Sequence, residues 1–437
     1  MKRKLTVIVG LAFFGCLAAC SKPSTGIPSV EKTSFDAVTS QLDKGGTLYL
    51  YLSTEKTAKA AEDLAGRVRT VIASQAFSSE AQKDEALRGY DFVVDLVKKS
   101  GLMEISGFGA SSVAMTEEIN HSKFIAHHYR GQGSGLLWQM WGERPHPLND
   151  LKLLPADTVL AQFSDRRLDK LWQFAQAEAE GSEFPKLKQG LESFRQMMDR
   201  QGIPMDKLLE SLDQSSGFLL TLDIEKKSVI QAGPMKLEIP EPGLAIVLGV
   251  KDDTLFDFLA SKMTFAEKSE EQGTKRLRVP ALPLPIPLQP EVVQSGRLLI
   301  LASHASVTDA ILSARDKGDG LIATEEFKSL SKSMPEQGNG FGFMARRFSQ
   351  EIMAVQKQAL QASGKSAEEA GAAKILDMFS KGNTWYGVLQ NTEEGLVYTV
   401  NHSTDLEEVA LLTAVGAVGM ATAAIIPNLT RAKAGKK

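Results

Sequence analysis

The sequence predicts an α+β fold in which twisted, mostly antiparallel sheets are each covered by helices on one side. Two observations support this prediction. Short apolar strands repeatedly run into Ser, Thr or Asp and then into an amphipathic helix, which is the pattern of a strand followed by a capped helix. Between these units lie pairs of strands joined by short polar turns, as in antiparallel hairpins. The chain has 437 residues, of which 43% are hydrophobic, and this is enough to bury a sizeable core.

The N-terminal residues have the layout of a secretory signal peptide. Residues 2–4 are Lys-Arg-Lys, residues 5–15 are apolar, and small residues follow. The stretch ends in Leu17-Ala18-Ala19-Cys20, which resembles the lipobox of bacterial lipoproteins. The resemblance implies that residues 1–19 are removed and that Cys20 is acylated, so that its acyl chains anchor the protein to a membrane.

Composition divides the rest of the chain into four parts. Residues 20–33 are polar, contain Pro23, Gly26 and Pro28, and are typical of a flexible tether. The recurrence of strand–helix units indicates two or three related units, and we divide the body into a first half over 34–148 and a second, larger half over 149–405. Residues 406–437 are predicted to form a C-terminal hydrophobic helix with a cationic tail.

Five strand–helix units are predicted along these halves. In each, bulky or β-branched residues form the strand, and apolar residues three and four apart form the helix stripe, as in Leu168, Leu171 and Trp172. The predicted strands are 47–52, 158–163, 244–250, 298–302 and 341–345. The helices that follow them are predicted to end near residues 73, 180, 263, 315 and 362, respectively.

The remaining strands are predicted as a meander and two hairpins. Residues 102–115, 123–131 and 136–141 form the meander. One hairpin joins 217–225 to 228–232 and turns at Lys226–Lys227; the other joins 385–390 to 395–401. Consecutive hairpins imply mostly antiparallel pairing.

No motif in the sequence favours catalysis, a cofactor or a metal. Four histidines fall between His121 and His146, but they lack the spacing of a metal site, and adjacent His127 and His128 would point to opposite faces of a strand. Ser329 and Lys332 match the Ser-x-x-Lys motif of penicillin-binding proteins and serine β-lactamases, yet the companion motifs Ser-Asp-Asn and Lys-Thr-Gly are missing. The net charge is −3 and the sequence shows no basic stripe, so we expect no nucleic-acid partner.

The C-terminal segment contains an apolar run of 18 residues, Val409–Ile426, that ends at Pro427. As a helix it would reach about 27 Å, the lower limit for a membrane span. The small residues Gly416, Gly419 and Ala423 suit close helix packing. The run could therefore span a membrane, pack on a partner helix, or lie on the folded body.

Two further resemblances concern the body and the tail. The sequence Gly-Met-Ala-Thr-Ala-Ala-Ile-Ile-Pro-Asn at 419–428 resembles the end of the hydrophobic helix of type IV pilins and pseudopilins, although pilins carry that helix at the N-terminus. The body resembles a family of bacterial envelope proteins grouped as a domain of unknown function. That resemblance rests on residues 154–159, 249–252, 296–303 and 320–328, and it implies a fold but no catalytic residues.

We therefore expect a non-catalytic, lipid-anchored protein that faces the periplasm and acts as a binding or scaffolding module. A carrier or chaperone for an apolar ligand held between sheet and helices is the alternative, and an envelope hydrolase is a weaker one. Ser21 after Cys20 is typical of sorting to the outer membrane, whereas a spanning tail with cations beyond it would fix the protein in the inner membrane. The sequence does not decide between anchoring in the inner and in the outer membrane.

Overall fold

The computed structural model describes residues 33–182, 185–232, 235–281, 288–363 and 382–403. Strands and helices alternate along these ranges, and the α+β prediction is confirmed. The strands are β1 Leu48–Ser53, β2 Gly107–Ala114, β3 Asn120–His127, β4 His146–Pro147, β5 Thr158–Asp165, β6 Leu212–Ala232, β7 Met235–Val250, β8 Glu267–Glu271, β9 Thr274–Arg278, β10 Glu291–Ser295, β11 Leu298–Ala302, β12 Gln337–Gly338, β13 Gly340–Met344, β14 Trp385–Thr392 and β15 Gly395–His402.

Five of the eleven described helices follow the strands after which the sequence predicts them; the other six lie elsewhere along the chain, and the helix lengths differ widely. Their bounds are α1 Phe35–Thr39, α2 Glu55–Ser74, α3 Glu80–Lys99, α4 Leu136–Gln139, α5 Leu168–Gly181, α6 Pro185–Arg200, α7 Met205–Ser211, α8 Thr254–Lys262, α9 Ala305–Lys317, α10 Glu325–Leu330 and α11 Arg346–Ser363.

Thirteen of the strands form one sheet in the order β1-β2-β3-β15-β14-β13-β5-β6-β7-β11-β10-β9-β8, and β4 pairs with β12 separately. Every pair of neighbours is antiparallel. The predicted antiparallel character is therefore confirmed.

The recurring unit is larger than a strand and a helix. Three times a strand leads through helices into a hairpin, and the first strand of the hairpin pairs beside it: β1 with β2–β3, β5 with β6–β7, and β13 with β14–β15. The predicted boundary between residues 148 and 149 falls between β4 and β5. Strands from both sides join in one sheet, because β3 pairs with β15.

One predicted strand and one predicted hairpin turn are wrong. Residues 136–141 were expected to be a strand, but Leu136–Gln139 is helix α4, and β15 takes the place beside β3. The hairpin expected at Lys226–Lys227 does not exist, because β6 runs through these residues with a register shift between Asp223 and Lys227 and pairs with β7. Two adjacent lysines favour no left-handed backbone conformation, so a bulge replaces a tight turn.

The main core lies on one side of the sheet, which we call the core face. It contains Phe163 and Phe341, whose stacked rings lie 5.3 Å apart, and helix α9 covers it with Val307 and Ile311. A second cluster lies on the opposite face, because Leu299 belongs to it while the adjacent Ile300 belongs to the first. Helix α8 covers that second cluster with Phe256. Helices were expected on one side only, but they pack on opposite faces at different places.

Several predicted features lie outside the described residues. They are the signal peptide 1–19, residues 20–32 of the tether, Cys20, and the tail residues Val409, Gly416, Gly419, Ala423, Ile426 and Pro427. Within the described ranges, the helices include none with the length and apolar character to cross a membrane.

Candidate functional site

The side of the sheet opposite the core face carries an apolar surface that we call the open face. On β5, β6 and β7 it consists of Leu160, Phe218, Leu220, Leu244 and Ile246. These residues alternate with core residues such as Ala161, Leu219 and Ala245, so they lie on the other face of the sheet. Leu220 differs from the others, because it also packs against the main core.

Strand register aligns part of the open face in a single line, which we call the transverse row. From β7 to β15 its members pair in sequence: Leu244 with Leu220, Leu220 with Leu160, Leu160 with Met344, Met344 with Trp385, and Trp385 with His402. The row therefore crosses six neighbouring strands, and it starts where β15, the last described strand, ends.

The open face is most accessible at β7, whereas Met344 and His402 of the transverse row are buried. Leu244 is 47% exposed and Ile246 is 44% exposed, and Leu160, Leu220 and Trp385 are half-buried. Extensive apolar patches on a protein surface usually mark binding sites.

The open face continues toward the other end of the sheet. Register links Leu389, Tyr398, Phe124, Ala110 and Leu50 from β14 to β1. Beside Leu50 on the same face, Leu52 pairs with Phe108, and all three are exposed. The apolar surface thus extends across both predicted halves.

Three long helices beside the sheet bury none of their residues. These are α2, α3 and α6. Helices α2 and α3 contact each other through the Arg69–Asp91 ion pair, at 2.8 Å, and the hydrogen bond from Tyr90 Oη to Ala65 O. Their apolar residues Val71 and Val93 stay exposed. Since both helices are amphipathic, they present a second unburied apolar surface.

A polar cleft of about 910 Å³ lies near the loops that follow β3 and β14. Its lining includes the cations Arg130, Arg144, Arg167 and Lys170 and the acids Glu143 and Glu393. Two of the cations are paired: Arg167 with Asp169 at 2.8 Å and with Glu143 at 3.5 Å, and Arg130 with Glu394 at 3.3 Å.

A hydrogen-bonded network lies beneath this cleft and holds its walls together. Asn339 donates to Asp165 Oδ2 at 3.1 Å and accepts from the Asn391 backbone at 2.7 Å. Asn391 in turn donates to the carbonyls of Trp138 and Gly142. Each member is bonded to backbone or to another member, which is what a structural network requires.

His146 reaches this network from the surface. Its Nε2 lies 2.9 Å from Asp165 Oδ2. Burial lowers the pKa of His146, but the Pro147 carbonyl and the Asp165 carboxylate outweigh that effect and hold the pKa above its ordinary value. Burial raises the pKa of Asp165. The pair resembles part of a catalytic triad, yet the hydroxyl beside Asp165, that of Ser164, accepts from Arg166 instead.

The other predicted histidines are built into the sheet and its loops. His121 Nδ1 lies 2.6 Å from Asn401 Oδ1, His127 Nδ1 lies 2.7 Å from Ser106 Oγ, and His128 packs on Trp138. His127 and His128 are both buried. The described ranges hold no cluster of three metal-ligating side chains.

The serines considered for nucleophilic catalysis lack the required surroundings. Ser106 is bonded to His127, but both are buried and out of reach of a substrate. Ser329 and Lys332 are exposed at the end of α10. The structure therefore assembles no accessible serine with a base from these candidates.

Sequence reasoning missed the open face, although a signal for it is present. Strand β7 reads Leu-Ala-Ile-Val-Leu at 244–248, so both faces of the strand are apolar. A strand with one solvated face would alternate apolar and polar residues. The pattern alone indicates that both sides of this strand need an apolar partner.

Comparison of the chain with models of protein families, with curated proteins and with solved structures finds no match in any of the three.

Proposed function

We propose that this protein is a non-catalytic, lipid-anchored protein of the bacterial cell envelope that binds an apolar partner on the open face of its sheet. The observation that carries the proposal is the exposure of Leu244 and Ile246, at 47% and 44%, in the middle of a sheet. Apolar residues of central strands are normally covered by other parts of the protein, because each buried methylene contributes about 0.8 kcal/mol to the free energy of folding. Cys20 provides the anchor in this proposal, and its acyl chains hold the binding face close to a membrane.

A carrier for an apolar ligand is the second candidate, and one observation favours it. Helices α2 and α3 are amphipathic but bury no residue. A long-chain ligand that lies between these helices and the open face would cover both apolar surfaces at once. The two candidates therefore differ in whether the helices take part in binding.

The test compares binding of an apolar fluorescent probe and of a long-chain fatty acid to matched variants of the full chain. Leu244→Ser/Ile246→Ser removes apolar area from the open face. Val71→Ser/Val93→Ser makes a comparable change on α2 and α3, where the two residues are 56% and 44% exposed. Circular dichroism and thermal melting establish that each variant folds.

We expect the Leu244→Ser/Ile246→Ser variant to bind about tenfold more weakly, because two partly buried aliphatic groups contribute roughly 1.4 kcal/mol or more. Unchanged binding by the helix variant supports the first candidate, whereas comparable weakening supports the carrier. Equal binding by the wild type and the open-face variant would falsify both.

A further inference from the structure

We infer that the apolar run Val409–Ile426 docks on the transverse row of its own chain. The inference rests on the proposed function, because it names an occupant of the same open face. It commits to an intramolecular contact, rather than to a membrane span or to a helix of another protein.

The first argument is the point at which the chain leaves the sheet. His402 pairs with Trp385, which is the first apolar member of the transverse row. The next residue is also fixed, since Ser403 N donates to Thr384 O at 3.0 Å and Ser403 Oγ accepts from Thr384 N at 2.9 Å. Residues 404–408 then separate this fixed point from Val409. The run therefore begins within a few residues of the row.

The second argument is length. From β15 to β7 the row crosses five strand spacings, which is roughly 24 Å at about 4.8 Å per spacing. As a helix, the 18 residues from Val409 to Ile426 would measure about 27 Å. In the other direction β1 is three spacings away, or roughly 14 Å, and the run would overhang the sheet. The two lengths agree only toward β7.

The third argument is chemical complementarity. The run has no charged residue, and Gly416, Gly419 and Ala423 lie three and four residues apart, so they share one helix face. The row has large side chains. Met344 and His402 are buried, Trp385, Leu160 and Leu220 are half-buried, and Leu244 is exposed. A helix face of small residues can sit close over such a row, and its flanking aliphatic residues would then cover the exposed ones.

Docking of the run changes how the protein is anchored. A run held on the sheet does not enter the membrane, so the lipid on Cys20 would be the sole anchor. It also places the run in competition with the apolar partner of the open face. The partner then has to displace the run before it binds.

The first experiment introduces cysteine pairs into the full chain, and the parent chain controls for crosslinks that involve Cys20. Leu244→Cys/Ile425→Cys joins the β7 end of the row to the end of the run. Leu50→Cys/Ile425→Cys is the matched control, because Leu50 is similarly exposed at the opposite end of the same face. Under mild oxidation we expect intramolecular crosslinking of the first pair to exceed that of the control at least about tenfold. Equal yields, no crosslink, or crosslinks only between copies would overturn the inference.

The second experiment measures maleimide labelling of Leu244→Cys in the full chain, with and without Val415→Asp/Val418→Asp in the run. Charges in the run should release it and raise the labelling rate about tenfold if the docked state is populated ten to one. Labelling of Leu50→Cys should not change. Apolar-probe binding should strengthen in the same charged variant. Unchanged labelling at Leu244→Cys, together with probe binding that still depends on Leu244 and Ile246, would reject the docked run while leaving the proposed function intact.

Discussion

His146 and Asp165 show how single residues link the surface to the buried network. Asp165 is 4% exposed, and two groups bind its carboxylate, His146 Nε2 at 2.9 Å and Asn339 Nδ2 at 3.1 Å. Gly142 makes room for this arrangement, because a side chain there would collide with Asp165. When His146 is protonated, its charge therefore compensates a carboxylate that burial would otherwise penalise.

The pair predicts a pH dependence of stability. The pKa of His146 is raised in the folded state, so its contribution is fully present below the unfolded value of about 6.5 and is lost as pH rises through the folded value. His146→Gln should lower the free energy of unfolding more at pH 5.5 than at pH 8.5, as measured by urea denaturation. In an Asp165→Asn background this difference should disappear. A loss of equal size at both pH values would contradict the assignment.

At the scale of elements, the helices divide into those that build the core and those that do not. Helix α9 buries Val307 and Ile311 against the core face, and Phe348 of α11 packs against the same cluster. Helices α2 and α3 are longer than α9 but bury no residue. Helix length is thus a poor guide to the contribution of a helix to stability in this fold.

This division predicts unequal costs for similar truncations. Ile311→Ala should lower the free energy of unfolding by about 2–5 kcal/mol, because Ile311 is completely buried and the change leaves a cavity. Val71→Ala should change it by less than about 0.5 kcal/mol, because Val71 is 56% exposed. Chemical denaturation of both variants provides the measurement, and similar costs at the two sites would mean that α2 packs more firmly than its exposure indicates.

Local patterns predicted the elements well where the apolar periodicity is clear, although the expected side-chain caps are not observed on the helices that follow β1, β5, β7 and β11. The strand at 158–163 and its helix to about 180 are observed as β5 Thr158–Asp165 and α5 Leu168–Gly181. Prediction failed where turn chemistry decides the structure. At Lys226–Lys227 a break in the apolar pattern signalled a turn, but the pairing of β6 with β7 continues through it. A bulge and a turn cannot be told apart from the local sequence, because only the path of the partner strand distinguishes them.

At the scale of the whole molecule, the sequence could not predict the order of the strands. The pairing of β3 with β15 joins His127 to Gly395, and no local pattern contains such a distant contact. The open face depends on the same long-range order, because the transverse row draws on six strands that are scattered from β5 to β15. Local patterns therefore predicted the fold class, but they did not predict the candidate site.

The strand order also predicts a gradient of local stability. Strands β13 and β5 lie in the middle of the sheet and contribute Phe341, Phe343 and Phe163 to the core. Strand β8 is an edge whose five residues are all exposed. In hydrogen exchange followed by mass spectrometry, we expect amides of β13 and β5 to exchange slowest and those of β8 fastest. Uniform protection across the sheet would contradict this expectation.

The two edge strands differ in what they offer to a neighbouring chain. Strand β8 reads Glu-Lys-Ser-Glu-Glu, and its charges oppose the approach of another strand. Strand β1 reads Leu-Tyr-Leu-Tyr-Leu-Ser and carries no charge. We therefore expect edge-to-edge pairing between copies to use β1. Because pairing of β1 with its own copy is two-fold symmetric, each such contact uses up the uncharged edge of both chains. We therefore expect association through the described sheet to stop at a pair, without growth into a filament.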